Sequence, residues 1–163
     1  MYDPQDLTAG DVILVNGWSH GQSLLGRAFD LLIDWSTDSK YHHAALVGDG
    51  VLIEALWTVT LSPLDKYQDC ADAFRLPFSD SVKAQAVSWA LSRTGERYGI
   101  GEVLLDFDRY DLHAIPKLRH RLRRYTCSAL VNTAYAHLGH PITRAPFPSP
   151  ADLSYSPLPS LMR

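Results

Sequence analysis

The stretch Tyr41-His42-His43-Ala44-Ala45-Leu46-Val47-Gly48-Asp49-Gly50-Val51-Leu52-Ile53-Glu54-Ala55-Leu56-Trp57 decides how this chain folds. Two apolar, strand-like runs flank Gly48-Asp49-Gly50. Asp-Gly between such runs is a strong hairpin signal, because the central residues of the favoured tight turn need positive φ. Strand side chains alternate between faces. With Asp49-Gly50 as a two-residue loop, Gly48 faces Val51, Ala45 faces Glu54 and His43 faces Leu56. His43 and Glu54 then share a face as diagonal neighbours, roughly 7–8 Å apart before their side chains reach out. A three-residue loop changes the parity and sets His42 on Glu54's face instead.

Glu54 stands among Leu52, Ile53, Ala55 and Leu56, where a carboxylate is costly without a partner. An imidazole is the partner that chemistry would want if a thiol faces its other nitrogen. The carboxylate would fix the ring's orientation and tautomer, and the ring would take the thiol proton. An exposed edge-strand glutamate beside a core histidine is the competing reading. Zinc held by His42, His43 and Glu54 is a further one, since imidazole and carboxylate suit that ion. Adjacent strand histidines point to opposite faces, which argues against a shared metal. The expectation is no metal and no cofactor.

The thiol is Cys127, in Tyr125-Thr126-Cys127-Ser128-Ala129-Leu130. From Cys127 to Leu138 the pattern is helical, with Leu130, Ala134 and Leu138 on one row, Val131 and Tyr135 on the next, and Thr126 as N-cap. Cys127 is then the first helical residue, beside unpaired backbone N–H groups and the positive end of the helix dipole, both of which favour a thiolate. The same N–H groups suit a developing oxyanion. Against this stands simple packing, because free cysteines are among the most buried residues. On position alone the two readings weigh about equally.

The rest of the chain frames these residues. A length of 163 residues, 46% hydrophobic and 20% charged, fits one globular domain with a real core. A net charge of −3 supplies no global attraction for nucleic acid, and none is expected as a partner. Two cysteines, Cys70 and Cys127, do not make a disulfide scaffold, although one bridge between them would occupy the thiol. The acidic start Met1-Tyr2-Asp3-Pro4-Gln5-Asp6 lacks the features of a signal peptide. The apolar stretch from Leu24 to Trp35 is broken by Arg27, Asp30 and Asp34, so no membrane span is expected. The default location is cytoplasmic.

Gly10-Asp11 before Val12-Ile13-Leu14-Val15 predicts a turn and a buried strand, with Asp11 serving the turn. Helices are expected over 23–35 and 81–94, with Gly95 capping the second, and a further strand over 73–78. The segment 97–109 fits neither pattern. Lys117 to Arg124 is a basic run, read as the solvated side of a helix or as a patch for anionic lipid or cell-wall polymer. Trp18, Trp35 and Trp57 could line an acyl or peptide groove or serve the core. The tail from Pro146 is expected to run extended. Together these predict one α+β unit, residues 1–163, with a small antiparallel sheet packed against helices.

Gly10-Asp11-Val12-Ile13, His43-Ala44-Ala45-Leu46-Val47, Ile53-Glu54-Ala55 and Tyr125-Thr126-Cys127-Ser128-Ala129-Leu130-Val131 occur in an order that resembles the circularly permuted papain-fold proteins. These belong to the NlpC-type cysteine peptidase and amidase superfamily, in the branch that holds the lecithin:retinol acyltransferase-like enzymes. In non-permuted members the cysteine helix precedes the histidine strand; here histidine and glutamate come first. Tyr98-Gly99 and Ser149-Pro150-Ala151-Asp152-Leu153 are weaker matches, and together the segments span most of the chain.

The resemblance implies a permuted papain-like fold, Cys127 as nucleophile, His43 rather than His42 as general base, and Glu54 as the residue orienting it. It also implies the Cys127 N–H as part of the oxyanion hole, with Tyr125, Tyr98 and His42 as candidate substrate-contacting residues. His42 departs from the family, which often has a small hydroxyl residue before the histidine. The implied reaction is hydrolysis or acyl transfer at an amide or ester. Cell-wall peptide is the substrate suggested by the superfamily, and a lipid-linked acyl group the one suggested by the permuted branch. Peripheral contact with membrane or cell wall would follow. A cell-wall substrate would require delivery by a virion or after lysis. The rival function is a non-catalytic binding or structural module that keeps the fold, as in a phage or envelope assembly.

Overall fold

A computed structural model describes residues 2–16, 40–97, 126–146 and 148–162. Six strands form one antiparallel sheet: β1 (Val12–Val15), β2 (His43–Val47), β3 (Val51–Ala55), β4 (Val59–Pro63), β5 (Ala71–Arg75) and β6 (Ser160–Leu161), in the order β4-β3-β2-β1-β5-β6. The helices are α1 (Asp80–Leu91), α2 (Cys127–Ala136) and α3 (Pro150–Ser154). The architecture is α+β, as the sequence predicts.

The β2–β3 hairpin has the two-residue parity. Ala45 pairs with Glu54, Leu46 with Ile53 and Val47 with Leu52. The Gly48 N–H donates to Val51 O at 2.7 Å, and Gly50 takes the positive φ of 71° that the turn requires.

Both faces of the sheet are covered, which is why Val12-Ile13-Leu14-Val15 is buried without alternation. On one face Val12, Leu14, Ala44, Leu46, Ile53 and Ala55 pack with residues of α1 and α2. On the other Ile13, Val15, Ala45, Val47 and Leu52 pack under Tyr67, with Tyr2, Leu7 and Leu64 closing the layer. Helix α2 is tied down at several points. The Tyr135 hydroxyl donates to Gly10 O at 2.5 Å, and the Ser128 hydroxyl to Pro148 O at 2.5 Å. Asn132 bonds both N–H and C=O of Thr143, at 3.0 and 3.2 Å.

Several elements differ from expectation. The strand expected over 73–78 is Ala71–Arg75, drawn earlier by its pairing with β1. The second hairpin strand stops at Ala55, and Leu56 and Trp57 turn outward into β4. Strand β4 carries little strand signal in the sequence because Thr60, Ser62 and Pro63 interrupt its apolar residues; proline is tolerated at a sheet edge. The tail is not extended throughout. Ser149 and Asp152 form a capping box that nucleates α3. Helices α1 and α2 end at Leu91 and Ala136, a few residues short of expectation. The predicted helix over 23–35, Trp18, Trp35 and the basic run 117–124 lie outside the described residues. Among the described residues, no helix is long and apolar enough to cross a membrane.

Candidate active site

Cys127 is the first residue of α2. Thr126 caps the helix in extended conformation (φ −75°, ψ 165°), its hydroxyl accepting the Ala129 N–H at 3.2 Å. The backbone N–H groups of Ser128 and Ala44 both favour negative charge on the Cys127 sulfur. Ladder pairing between β2 and β3 begins only at Ala45 with Glu54, so Ala44 lies just outside it. Burial by itself pushes the thiol's pKa up. The His43 charge and these N–H groups outweigh it, and the net shift is downward, toward a thiolate. Cys127 and Cys70 are both free thiols.

His43 opens β2, opposite Val15 of β1. Its Nε2 lies 2.7 Å from Glu54 Oε2. An ionised carboxylate can only accept, so Nε2 carries the proton and Nδ1 is the nitrogen left for the Cys127 sulfur. Burial would lower the imidazole's pKa. The Cys127 thiolate, which is both a charge and a hydrogen-bond partner, and the Glu54 carboxylate together raise it. The shifts of the two partners therefore agree: each stabilises the charged form of the other, as in a thiolate–imidazolium pair.

Glu54 is wholly buried in β3 and fully satisfied. Oε2 accepts from His43 Nε2 and from the Tyr67 hydroxyl at 2.8 Å. Oε1 accepts from the Ser62 hydroxyl at 2.5 Å and from the Lys66 ammonium. Desolvation would raise its pKa. The hydrogen bond and charge of His43, then those of Lys66, hold it far below the ordinary carboxylate range. The Tyr67 ring also sits 5.7 Å from the His43 ring, tilted by 56°.

Ser62, Lys66 and Tyr67 were not among the residues singled out from sequence. They sit at the end of β4 and in the turns beyond it, where Lys66 N–H bonds Pro63 O and Gln68 N–H bonds Asp65 O. The one signal available was Glu54 itself, because a buried carboxylate must find donors somewhere.

Comparison with models of known protein families, and with curated proteins, found no match to this chain. The site stands on its geometry.

Of the residues singled out from sequence, the structure brings Cys127, His43 and Glu54 together. His42 is buried next door, its backbone N–H donating to Val15 O at 3.0 Å; the imidazole bonded to Glu54 is that of His43. Tyr98 and Tyr125 lie outside the described residues. Trp57 is 66% exposed at the end of the hairpin and does not serve the core. Among the described residues, no three His, Cys, Asp or Glu side chains are grouped to hold a metal ion. Asp11 serves the turn before β1, where Oδ2 accepts the Thr8 N–H at 2.9 Å.

Proposed function

We propose that this protein is a cysteine hydrolase or acyltransferase of the permuted papain-like type, acting on an amide or ester bond. The observation that carries the reading is a thiol at a helix N-terminus, paired with an imidazole whose far nitrogen is bonded to a buried carboxylate. A histidine that merely fills a core has no need of that third group.

The Cys127 thiolate attacks the carbonyl carbon, and the carbonyl oxygen becomes an oxyanion facing the Cys127 N–H. Collapse breaks the bond to the leaving amine or alcohol, which takes its proton from the His43 imidazolium. The acyl group is left as a thioester on Cys127. Water or another acceptor then attacks the thioester while His43 removes its proton, the C–S bond breaks to release the acyl product, and the thiolate–imidazolium pair is restored. Glu54 holds the ring in the tautomer that presents Nδ1 to sulfur throughout. Cell-wall peptide and lipid-linked acyl groups are the two substrate classes this reading brings forward.

The test is the rate of Cys127 alkylation by iodoacetamide in a Cys70→Ser background. The wild-type site should react well below the pH at which an ordinary thiol ionises, about 8.5. His43→Ala should lower the rate at about pH 6 by at least about tenfold. A wild-type rate equal to that of a model thiol, unchanged by His43→Ala, would sink the reading. Incubation with activated esters should add one acyl mass to the wild-type chain and none to Cys127→Ala.

A further inference from the structure

Lys66 takes no part in bond making or proton transfer, yet its ammonium sits on the buried carboxylate. It bonds Glu54 Oε1, lies 3.1 Å from the Ser62 hydroxyl and stands 4.9 Å from the centroid of the Tyr67 ring. Its side chain is 28% exposed while that of Glu54 is 0% exposed, so the lysine reaches inward from the rim. Among the described residues it is the sole Lys or Arg paired with Glu54.

The groups facing this carboxylate come from four directions. They are His43 from β2, Ser62 from β4 and Lys66 and Tyr67 from the turns beyond it; from the N-terminal segment Tyr2, whose hydroxyl donates to Leu64 O at 2.7 Å, feels the charge without bonding to it. Cys127 faces His43 from α2. In the working state the thiolate and carboxylate are negative and the imidazolium positive. Lys66 supplies the fourth charge and brings the sum to zero. Without it a net negative charge would remain among buried side chains, where such a charge is expensive and acts strongly on its neighbours. That excess would bind the protons of both Cys127 and His43 more tightly.

We infer that Lys66 is a positioning residue of the cysteine site: it locks Glu54 Oε1 so that Oε2 meets His43, and it supplies the positive charge that balances the buried array. The inference rests on the reading of Cys127 as a nucleophile paired with His43.

The experiment is the pH profile of iodoacetamide alkylation in the Cys70→Ser background, for the wild-type site, Lys66→Met, Lys66→Arg and His43→Ala. Lys66→Met keeps the apolar stem and removes the charge. Its rising limb should move up by about one pH unit, with a loss of about tenfold in rate at a fixed pH below the limb. Lys66→Arg should restore the profile. A loss of packing alone would change amplitude or melting temperature without moving the limb. If Lys66→Met leaves the limb in place while the wild-type site is still activated and still dependent on His43, the inference is overturned and the nucleophile stands. If the wild-type site is not activated and His43→Ala changes nothing, the underlying reading fails first.

Should Lys66→Met not fold, Lys66→Gln carries the same test, because its amide can still donate to Glu54 Oε1 while the charge is gone. Its rising limb should move up by about one pH unit. A folded Lys66→Gln whose limb stays in place would overturn the counter-charge role.

Discussion

Asp11 and Glu54 are both carboxylates with 0% exposure, and both are fully engaged. Asp11 takes the Thr8 N–H and hydroxyl at 2.9 and 3.1 Å, both arms of Arg75 at 2.8 and 3.2 Å, and the Lys83 ammonium at 3.8 Å. Glu54 takes one imidazole, two hydroxyls and one ammonium. Burial and cationic partners are thus common to the two. What separates them is the kind of donor. Asp11 is held by the backbone amide and hydroxyl of Thr8, by the Arg75 guanidinium and by the Lys83 ammonium, and it joins the N-terminal turn to β5 and α1. Glu54 is held in part by an imidazole whose other nitrogen is left for a thiol. A buried acid therefore signals that something is being fixed in place; the neighbour it fixes says whether that is a joint or a reaction.

The largest expected effect comes from truncating Glu54. Glu54→Ala leaves His43, Ser62, Lys66 and Tyr67 around an empty space and should cost about 3–5 kcal/mol of stability, read by urea unfolding. Glu54→Gln keeps the shape and should cost less. It should also flatten the acid side of the stability curve. The folded pKa of Glu54 is depressed, so its contribution is complete above the unfolded value of about 4.3 and fades as pH falls below it. Melting temperatures followed from about pH 5 downward should thus fall more steeply for the wild-type chain than for Glu54→Gln. Equal slopes would mean that Glu54 is not held ionised.

Asp11→Ala should cost less, about 2–3 kcal/mol, because the Arg75 side chain is 44% exposed and can recover water. At a temperature where the variant is folded, the alkylation rate of Cys127 should match the wild-type rate. A matching loss of thiol reactivity would erase the distinction between the two acids.

The smallest effects test the turns that set each acid in place. Gly10→Ala forces a side chain onto φ +92° and brings its Cβ within 2.6 Å of Lys83 Cβ and 2.9 Å of the Tyr135 hydroxyl. Gly50→Ala meets only the backbone penalty at φ +71°, with open space around it. The second should cost about 1–2 kcal/mol, and the first more than that, in thermal or urea unfolding. The reverse order would mean that the Gly10 joint gives way easily.

How much of this was legible in the chain varies with the range of the interaction. The hairpin and the start of α2 at Cys127 were both readable, since each is set by residues within a few positions: Asp49-Gly50 for one, Thr126 for the other; the structure chose the two-residue parity over the three-residue one. The apolar neighbours of Glu54 argued for a buried, partnered carboxylate against an exposed edge-strand one, and the structure buries it. Strand β4 was not readable, because its apolar residues are interrupted by Thr60, Ser62 and Pro63, and a strand of that kind is defined by the partner it pairs with. Helix α3 carried a usable capping-box signal that the prolines around it obscured.

By itself, then, the sequence determined that a carboxylate and two adjacent histidines share a hairpin, with His43 beside Glu54 if the loop has two residues, and that a cysteine begins a helix far along the chain. Turn geometry and capping are short-range, and they need no knowledge of the fold. Only the tertiary structure decided that the helix end lies against the start of β2. It also decided that Lys66, Ser62 and Tyr67 close around Glu54. Those contacts join segments whose separation along the chain says nothing about their separation in space. They are selected by packing on both faces of the sheet and by the need of a buried charge to find every donor it can.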